Sequence, residues 1–156
     1  VCVRHNGWIG DNARTYAIGA VDAEKERLLE ATEQALVLGI GQAVAGNQVG
    51  DISSAIQTRV EGEGFSVVRE FVGHGVGRTM HESPQIPNFG RPGTGPKLRE
   101  GMTIAIEPMV NAGTATVDMA PDGWTALTAD RKPAAHFEHT VLVCDGQAEI
   151  LTIPEK

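Results

Sequence analysis

Cysteine, basic residues and long apolar runs are all scarce in this sequence. Only Cys2 and Cys144 occur among 156 residues, and so distant a pair fits neither a cysteine metal site nor a disulfide framework. Cys144 ends the apolar run VLVC and is expected to be a buried thiol. No run approaches the ~18 apolar residues of a membrane-spanning helix. Basic residues number 13 against 20 acidic ones, so we expect no nucleic-acid partner and no membrane partner.

The length predicts one domain, residues 1–156, which is long enough to bury a sizeable core. Residues 1–3 alternate like a strand, and Asn6-Gly7 is a strong signal for a hairpin turn. A second strand is expected to run through residues 15–18. This arrangement places Asp11 on a β-hairpin.

Two helices are predicted after the hairpin. The first begins after the N-cap Asp22 and ends at residues 46–47. The second is capped by Asp51 and stops at Gly62 and Gly64. The apolar face of the first helix recurs at spacings of seven and four, at Leu29, Leu36, Ile40 and Val44.

Short strands are predicted in the remainder of the chain. They cover residues 66–68, 102–107, 124–128, 134–143 and 148–153, with an extended surface loop over 83–95. The segments 124–128 and 134–143 are expected to form one further hairpin. Together these elements predict the α+β class, an antiparallel sheet with two helices against one face.

The stretch GHGVGRTMHE, residues 73–82, allows three interpretations. A phosphate-binding loop is disfavoured, because the glycine spacing matches neither GxGxxG nor GxxxxGK[ST]. Alternating glycines instead allow the backbone to approach another group closely and leave His74 as the functional side chain. A loop histidine without a ligand remains the alternative.

Several carboxylates stand at the ends of apolar strands. Glu107 ends the run MTIAIE, and Glu138 lies within AHFEHTVLV, where an unpaired charge would be costly. His136, Glu138 and the Thr140 hydroxyl alternate on one face of their strand. A solvated sheet edge would explain either acid alone. With Asp11 and His74, however, the set is typical of a hydrolytic divalent-metal site.

Five motifs resemble those of type I methionine aminopeptidases, members of the pita-bread family of dinuclear metallohydrolases. They are GWIGDNARTYAIG (7–19), GHGVGRTMHESPQIPNFG (73–90), LREGMTIAIEPMVN (98–111), DGWTALTAD (122–130) and AHFEHTVLV (135–143). EPMVN with FEHT favours this family over prolidases and aminopeptidases P, and the absence of a long insertion between His81 and Glu107 favours type I. The resemblance implies a pita-bread (creatinase/aminopeptidase) fold, with helices on the outer face of an antiparallel sheet.

The resemblance also implies the roles of individual residues. The metal ligands would be Asp11, His74, Glu107 and Glu138, with Asp11 and Glu138 bridging two cations. Glu107 would also be the general base, and His81 would hydrogen-bond the substrate and steady the transition state. In the methionine pocket, Trp124 would form a wall and Met80 would take a place that is often Phe. His136 stands where Gln is common, and this departure leaves its role open.

The implied reaction is removal of the N-terminal methionine from peptides and nascent chains, with Mn²⁺, Fe²⁺, Co²⁺ or Zn²⁺ as cofactor. We expect a cytoplasmic monomer, with the ribosome as a candidate partner. The family's first ligand is an Asp eleven residues before Asp11, one position ahead of Val1. We therefore expect the chain to be the C-terminal portion of a longer protein, and by itself to bind one cation weakly with little or no peptidase activity.

Three alternatives are open. One is a proline-specific aminopeptidase of the same fold. Another is a non-catalytic pita-bread module that binds peptides or proteins. The third is an inert truncated product.

Overall fold

The chain opens with a β-hairpin. The computed structural model describes residues 1–153, so residues 154–156 of the predicted domain lie outside the described residues. Strands β1 (Cys2–His5) and β2 (Trp8–Ala13) form the hairpin. Its turn residues Asn6 and Gly7 have φ of 49° and 82°, a left-handed conformation that an Asn-Gly pair adopts readily. The predicted hairpin turn is confirmed.

The second strand of the hairpin is shorter than predicted. It ends at Ala13 and does not run through residues 15–18. The reason lies across the sheet, where the neighbouring strand pairs with β2 only at Glu138–Ala13 and His139–Asn12. Beyond Ala13 the backbone has no partner strand. Asp11 nevertheless lies on the hairpin, as predicted.

Helix α1 (Ala23–Gly41) begins where the sequence predicts. Asp22 is the N-cap, and its Oδ1 accepts a hydrogen bond from Lys25 N at 2.9 Å. The predicted end at residues 46–47 is wrong, because the helix stops at Gly41. Val44 instead forms an isolated bridge with Cys144.

Helix α2 (Val49–Gly62) starts before its predicted cap. Gln48 is the N-cap, and Asp51 lies in the first turn, where its Oδ2 accepts from Gln48 N at 2.7 Å. Asp51 therefore supports the helix start from inside, as an acid at the third helical position does. The predicted stop at Gly62 is confirmed.

The remaining strands are short. They are β3 (Ser66–Val67), β4 (Gly73–Gly75), β5 (Glu82–Ile86), β6 (Thr103–Ile106), β7 (Met109–Asn111), β8 (Val117–Met119), β9 (Ala126–Thr128), β10 (Ala134–His136), β11 (Glu138–Leu142) and β12 (Glu149–Ile150). The largest sheet has the order β1-β2-β11-β6-β4-β5, with β12 on β11; the others are β10-β7-β3 and β8-β9. These strand pairs are antiparallel, which confirms the α+β class.

Two predictions about strands are wrong. Residues 124–128 and 134–143 do not pair with each other: β9 pairs with β8, β10 with β7, and β11 with β6. Residues 83–95 are not wholly a loop, because β5 begins this stretch at the edge of the main sheet.

The core lies between the two helices and the sheets. Its largest fully buried side chains include Leu28, Ile52, Ile56, Ile104, Ile106, Val110 and Val141. Gly39 lets α1 approach α2, since a Cβ there would stand 2.9 Å from Ile56 Cγ1. Cys144 is half-buried, so the expectation of a buried thiol is wrong. Among residues 1–153 no helix is long and apolar enough to cross a membrane.

Candidate metal centre

The strand order brings the predicted metal-binding residues together. Asp11 lies on β2, Glu138 starts β11, Glu107 follows β6 directly, and His74 is the middle residue of β4. These four strands are consecutive neighbours in the main sheet. Residues that are far apart along the chain therefore occupy adjacent positions across one sheet.

The first cluster consists of Asp11, His74 and Glu138. One potential ligand atom from each lies within 4.8 Å of the other two. The three residues are 9%, 6% and 4% exposed. Two buried carboxylates beside an imidazole are costly unless a cation or a proton neutralises them.

Hydrogen bonding fixes which nitrogen of His74 is free. His74 Nδ1 lies 3.0 Å from the Gly75 carbonyl oxygen. A carbonyl can only accept, so Nδ1 donates, and in the neutral ring Nε2 is the nitrogen with the free lone pair. Nε2 lies 3.3 Å from Glu107 Oε1. A backbone carbonyl behind a ring is the usual means of orienting a histidine that binds metal.

Glu107 lies between two imidazoles. Its Oε1 is the oxygen near His74, and its Oε2 is 3.5 Å from His136 Nε2. Glu107, His136 and Glu138 make a second cluster whose ligand atoms also lie within 4.8 Å of one another. The two clusters share Glu138.

The negative charge of Glu138 is poorly compensated by the protein itself. Burial, with the negative charges of Glu107 and Asp11 nearby, raises the pKa of Glu138 from 4.5 to about 8. A divalent cation would remove this repulsion and favour the ionised form. Carboxylate and imidazole donors suit first-row divalent metals, so the residues present fit the metal that the sequence motifs imply.

Glycines allow the strands to come this close. A Cβ at Gly73 would overlap the carbonyl oxygen of Ala105, and one at Gly75 would overlap that of Ser83. Both contacts are to backbone, which cannot move aside as a side chain can. This close approach is the role that the alternating glycines predict.

The three residues predicted to bind substrate are all exposed. His81 is exposed, and its ring meets the His74 ring edge-on at a centroid distance of 4.5 Å and an angle of 75°. Met80 is 40% exposed. Trp124 lies between β8 and β9 and is 88% exposed. The contacts of these three side chains with a substrate stay predictions.

Two structural roles were not anticipated from the sequence. Thr140 Oγ1 accepts from Asp11 N at 2.9 Å and donates to Asp11 O at 2.8 Å, which fixes β2 against β11. Asn88, fully buried, donates from Nδ2 to the carbonyl oxygen of Glu107 at 3.1 Å. The role of Thr140 could have been suspected, because a polar side chain at an inward strand position needs a hydrogen-bond partner. The role of Asn88 depends on the path of its loop, which no local sequence pattern specifies.

Two contacts also join the β1–β2 hairpin to the loop that carries His81. The Arg78 guanidinium lies 4.3 Å from the centroid of the Trp8 ring, and Ile9 N donates to Gly77 O at 2.8 Å. The strand of Asp11 and the loop between the two histidines are thus held together. This contact was not predicted from the sequence, because its partners lie far apart along the chain.

Comparison with known proteins agrees with this geometry. The chain is 52% identical to a methionine aminopeptidase of Clostridium perfringens, over 98% of this chain and 61% of that protein. A crystal structure of methionine aminopeptidase from Thermotoga maritima superposes with a TM-score of 0.94 at 50% identity, over 96% of this chain and 60% of that one. The chain thus spans about 60% of the length of these two relatives.

More distant similarity supports the fold alone. A prolidase from Pyrococcus furiosus matches with a TM-score of 0.74 at 23% identity, over 99% of this chain and 40% of that one. The expected pita-bread fold is thereby confirmed. The profile of metallopeptidase family M24 matches residues 1–145, nearly the whole sequence. The chain therefore belongs to metallopeptidase family M24.

Proposed function

We propose that the protein containing this chain removes the N-terminal methionine from peptides and nascent proteins, and that residues 1–156 form a single catalytic domain. One observation carries the proposal: four neighbouring strands bring Asp11, His74, Glu107 and Glu138 into two clusters that share Glu138. Such a donor set has a clear use in hydrolysis and none in a plain binding surface. The names of the close relatives support methionine as the residue removed.

The cation would be held by Asp11, His74, Glu107 and Glu138. When bound, it would act as a Lewis acid and make water a nucleophile near neutral pH. Mn²⁺, Fe²⁺, Co²⁺ and Zn²⁺ all suit these donors. The preset tautomer of His74 means that its free nitrogen needs no rearrangement before it binds.

The side chains around the cation would move protons and orient the peptide. Glu107, with one oxygen facing each imidazole, would take the proton from the attacking water and pass it to the leaving amine. His81 is exposed beside His74 and would donate to the substrate carbonyl. Trp124 and Met80 would contact the methionine side chain. Action on nascent chains would place a monomeric protein in the cytoplasm, with the ribosome as a candidate partner.

The proposal is tested with a short Met-Ala peptide and a Xaa-Pro peptide, each with Mn²⁺ or Co²⁺ and with a chelator. We expect methionine release that the chelator abolishes, and no cleavage of the Xaa-Pro peptide. Glu107→Gln should lower kcat at least ~100-fold, because general-base catalysis contributes about that much. Glu100→Gln, an exposed acid before β6, is the matched control. If the folded protein that contains this chain releases no methionine with either cation, the proposal is contradicted. Preferential cleavage of the Xaa-Pro peptide would reassign the substrate.

A further inference from the structure

His136 has an unsatisfied nitrogen at the metal centre. Its Nε2 is one of two buried side-chain atoms within residues 1–153 that lack a hydrogen-bond partner. This nitrogen faces Glu107 Oε2 at 3.5 Å and shares a cluster with Glu107 and Glu138. A buried imidazole nitrogen without a partner is unfavourable, because it has lost its hydrogen bond to water and gained none in return. Something other than the described protein atoms is therefore expected to satisfy it.

We propose that His136 is a metal ligand, and that Glu107, His136 and Glu138 form a cation position beside that of Asp11, His74, Glu107 and Glu138. The chain then offers five donor side chains, of which Glu107 and Glu138 serve both positions. Two carboxylates and one imidazole suit the same first-row divalent metals. The inference rests on the metal use that belongs to the proposed function, but not on peptidase activity.

The distances favour ligation over a direct hydrogen bond. Hydrogen bonds between N–H and oxygen cluster at about 2.9–3.0 Å, whereas Nε2 and Oε2 are 3.5 Å apart. Nitrogen and oxygen ligands bind zinc at about 2.0–2.2 Å, so two ligands of one tetrahedral zinc ion would stand about 3.3–3.5 Å apart. The separation of His74 Nε2 and Glu107 Oε1, 3.3 Å, falls in the same range. Both imidazoles are thus spaced from Glu107 as co-ligands would be.

The backbone holds His136 in place. Thr15 Oγ1 accepts from His136 N and donates to His136 O, each at 2.9 Å. His136 also ends β10 in register with Met109 of β7. With Phe137 buried between them, His136 and Glu138 both direct their side chains to the cluster, as alternate residues of extended chain do. The nitrogen is thus positioned before any cation arrives.

The decisive experiment counts imidazole ligands directly. Protein labelled with ¹⁵N-histidine is loaded with Co²⁺, and the ring nitrogens of its five histidines are followed by NMR. We expect two of them, His74 and His136, to show the large hyperfine shifts of direct ligands. A single ligand-type histidine would overturn the inference while leaving the proposed metal site intact. No shifted histidine at all would contradict both proposals.

Calorimetric titration with Mn²⁺ and Co²⁺ provides the second measurement. His136→Gln keeps a hydrogen-bonding side chain but removes the imidazole. It should lose one cation equivalent or bind that cation at least ~10-fold more weakly, the lower end of what perturbing a metal site costs. His5→Gln, on the exposed strand β1, should bind as the unchanged protein does. Equal stoichiometry and affinity in folded His136→Gln would show that His136 is no ligand.

Discussion

Replacing Glu138 by glutamine is expected to stabilise the metal-free protein at neutral and alkaline pH. Burial and the nearby charges of Glu107 and Asp11 raise the pKa of Glu138 from 4.5 to about 8. The folded state therefore holds this proton more tightly than the unfolded state does. The resulting stabilisation is fully present below about pH 4.5 and is lost as the pH rises through about 8.

The size of this effect follows from the pKa values. One pKa unit corresponds to about 1.36 kcal/mol, so a change from 4.5 to about 8 corresponds to an upper limit of roughly 5 kcal/mol. Local relaxation and water entry reduce such values, and we expect about 3–5 kcal/mol between about pH 5 and pH 9. Glutamine has the shape of the protonated acid and does not titrate. The variant and the unchanged protein should therefore differ little at about pH 5 and most at about pH 9.

Urea denaturation followed by circular dichroism, with chelator present, measures this difference. The comparison cancels other groups that titrate in both proteins, such as His139, whose pKa is lowered by burial. Glu100→Gln, an exposed acid, should give no pH-dependent difference. Added Mn²⁺ should stabilise the unchanged protein much more than Glu138→Gln. If the two proteins differ by the same free energy at both pH values, the reasoning about Glu138 is refuted.

Three further changes test other contacts. His74→Ala should weaken Mn²⁺ or Co²⁺ binding at least ~100-fold in calorimetry, since it removes a preset nitrogen ligand; unchanged affinity would exclude His74 as a ligand. Gly73→Ala should lower stability in thermal melts by ~1–3 kcal/mol, because its Cβ would overlap the carbonyl of Ala105, and a neutral result would show that β4 shifts freely. Arg78→Ala should cost ~0.5–1 kcal/mol in urea denaturation through loss of its contact with Trp8; Arg78→Lys should recover part of it, and an equal loss in Lys would argue against a cation–π contact.

Local signals in the sequence predicted local structure well. The Asn6-Gly7 turn and the Asp22 cap depend on backbone and side-chain chemistry within a few residues, and both are confirmed. Errors arose where a distant partner decides the outcome. β2 ends at Ala13 because β11 offers no pairing further along. β9 pairs with β8 rather than with residues 134–143, a choice that alternation alone does not specify.

At the metal centre, too, local sequence signals identified individual residues, whereas their arrangement depended on distant parts of the chain. The positions of Glu107 and Glu138 at the ends of apolar strands showed that they were unusual, and they do lie in shared clusters. Their mutual distance required the strand order, which motif spacing alone does not reveal. His136 shows most clearly what the sequence leaves undetermined. The sequence shows that a histidine replaces the more common Gln, but only the structure shows that its Nε2 lacks a hydrogen-bond partner.

The metal centre joins two residues that lie far apart along the chain, Asp11 and Glu138. A cation shared between them would act as a non-covalent cross-link that encloses the whole stretch between these two residues. Joining positions so distant along a chain removes much of the freedom of its unfolded state. A single cut in an intervening surface loop, such as that after β5, would then leave two pieces that the cation still holds together. Since β2–β11 and β4–β6 pairing also joins the two pieces, such a nicked protein should be more tightly associated with the cation than after addition of chelator.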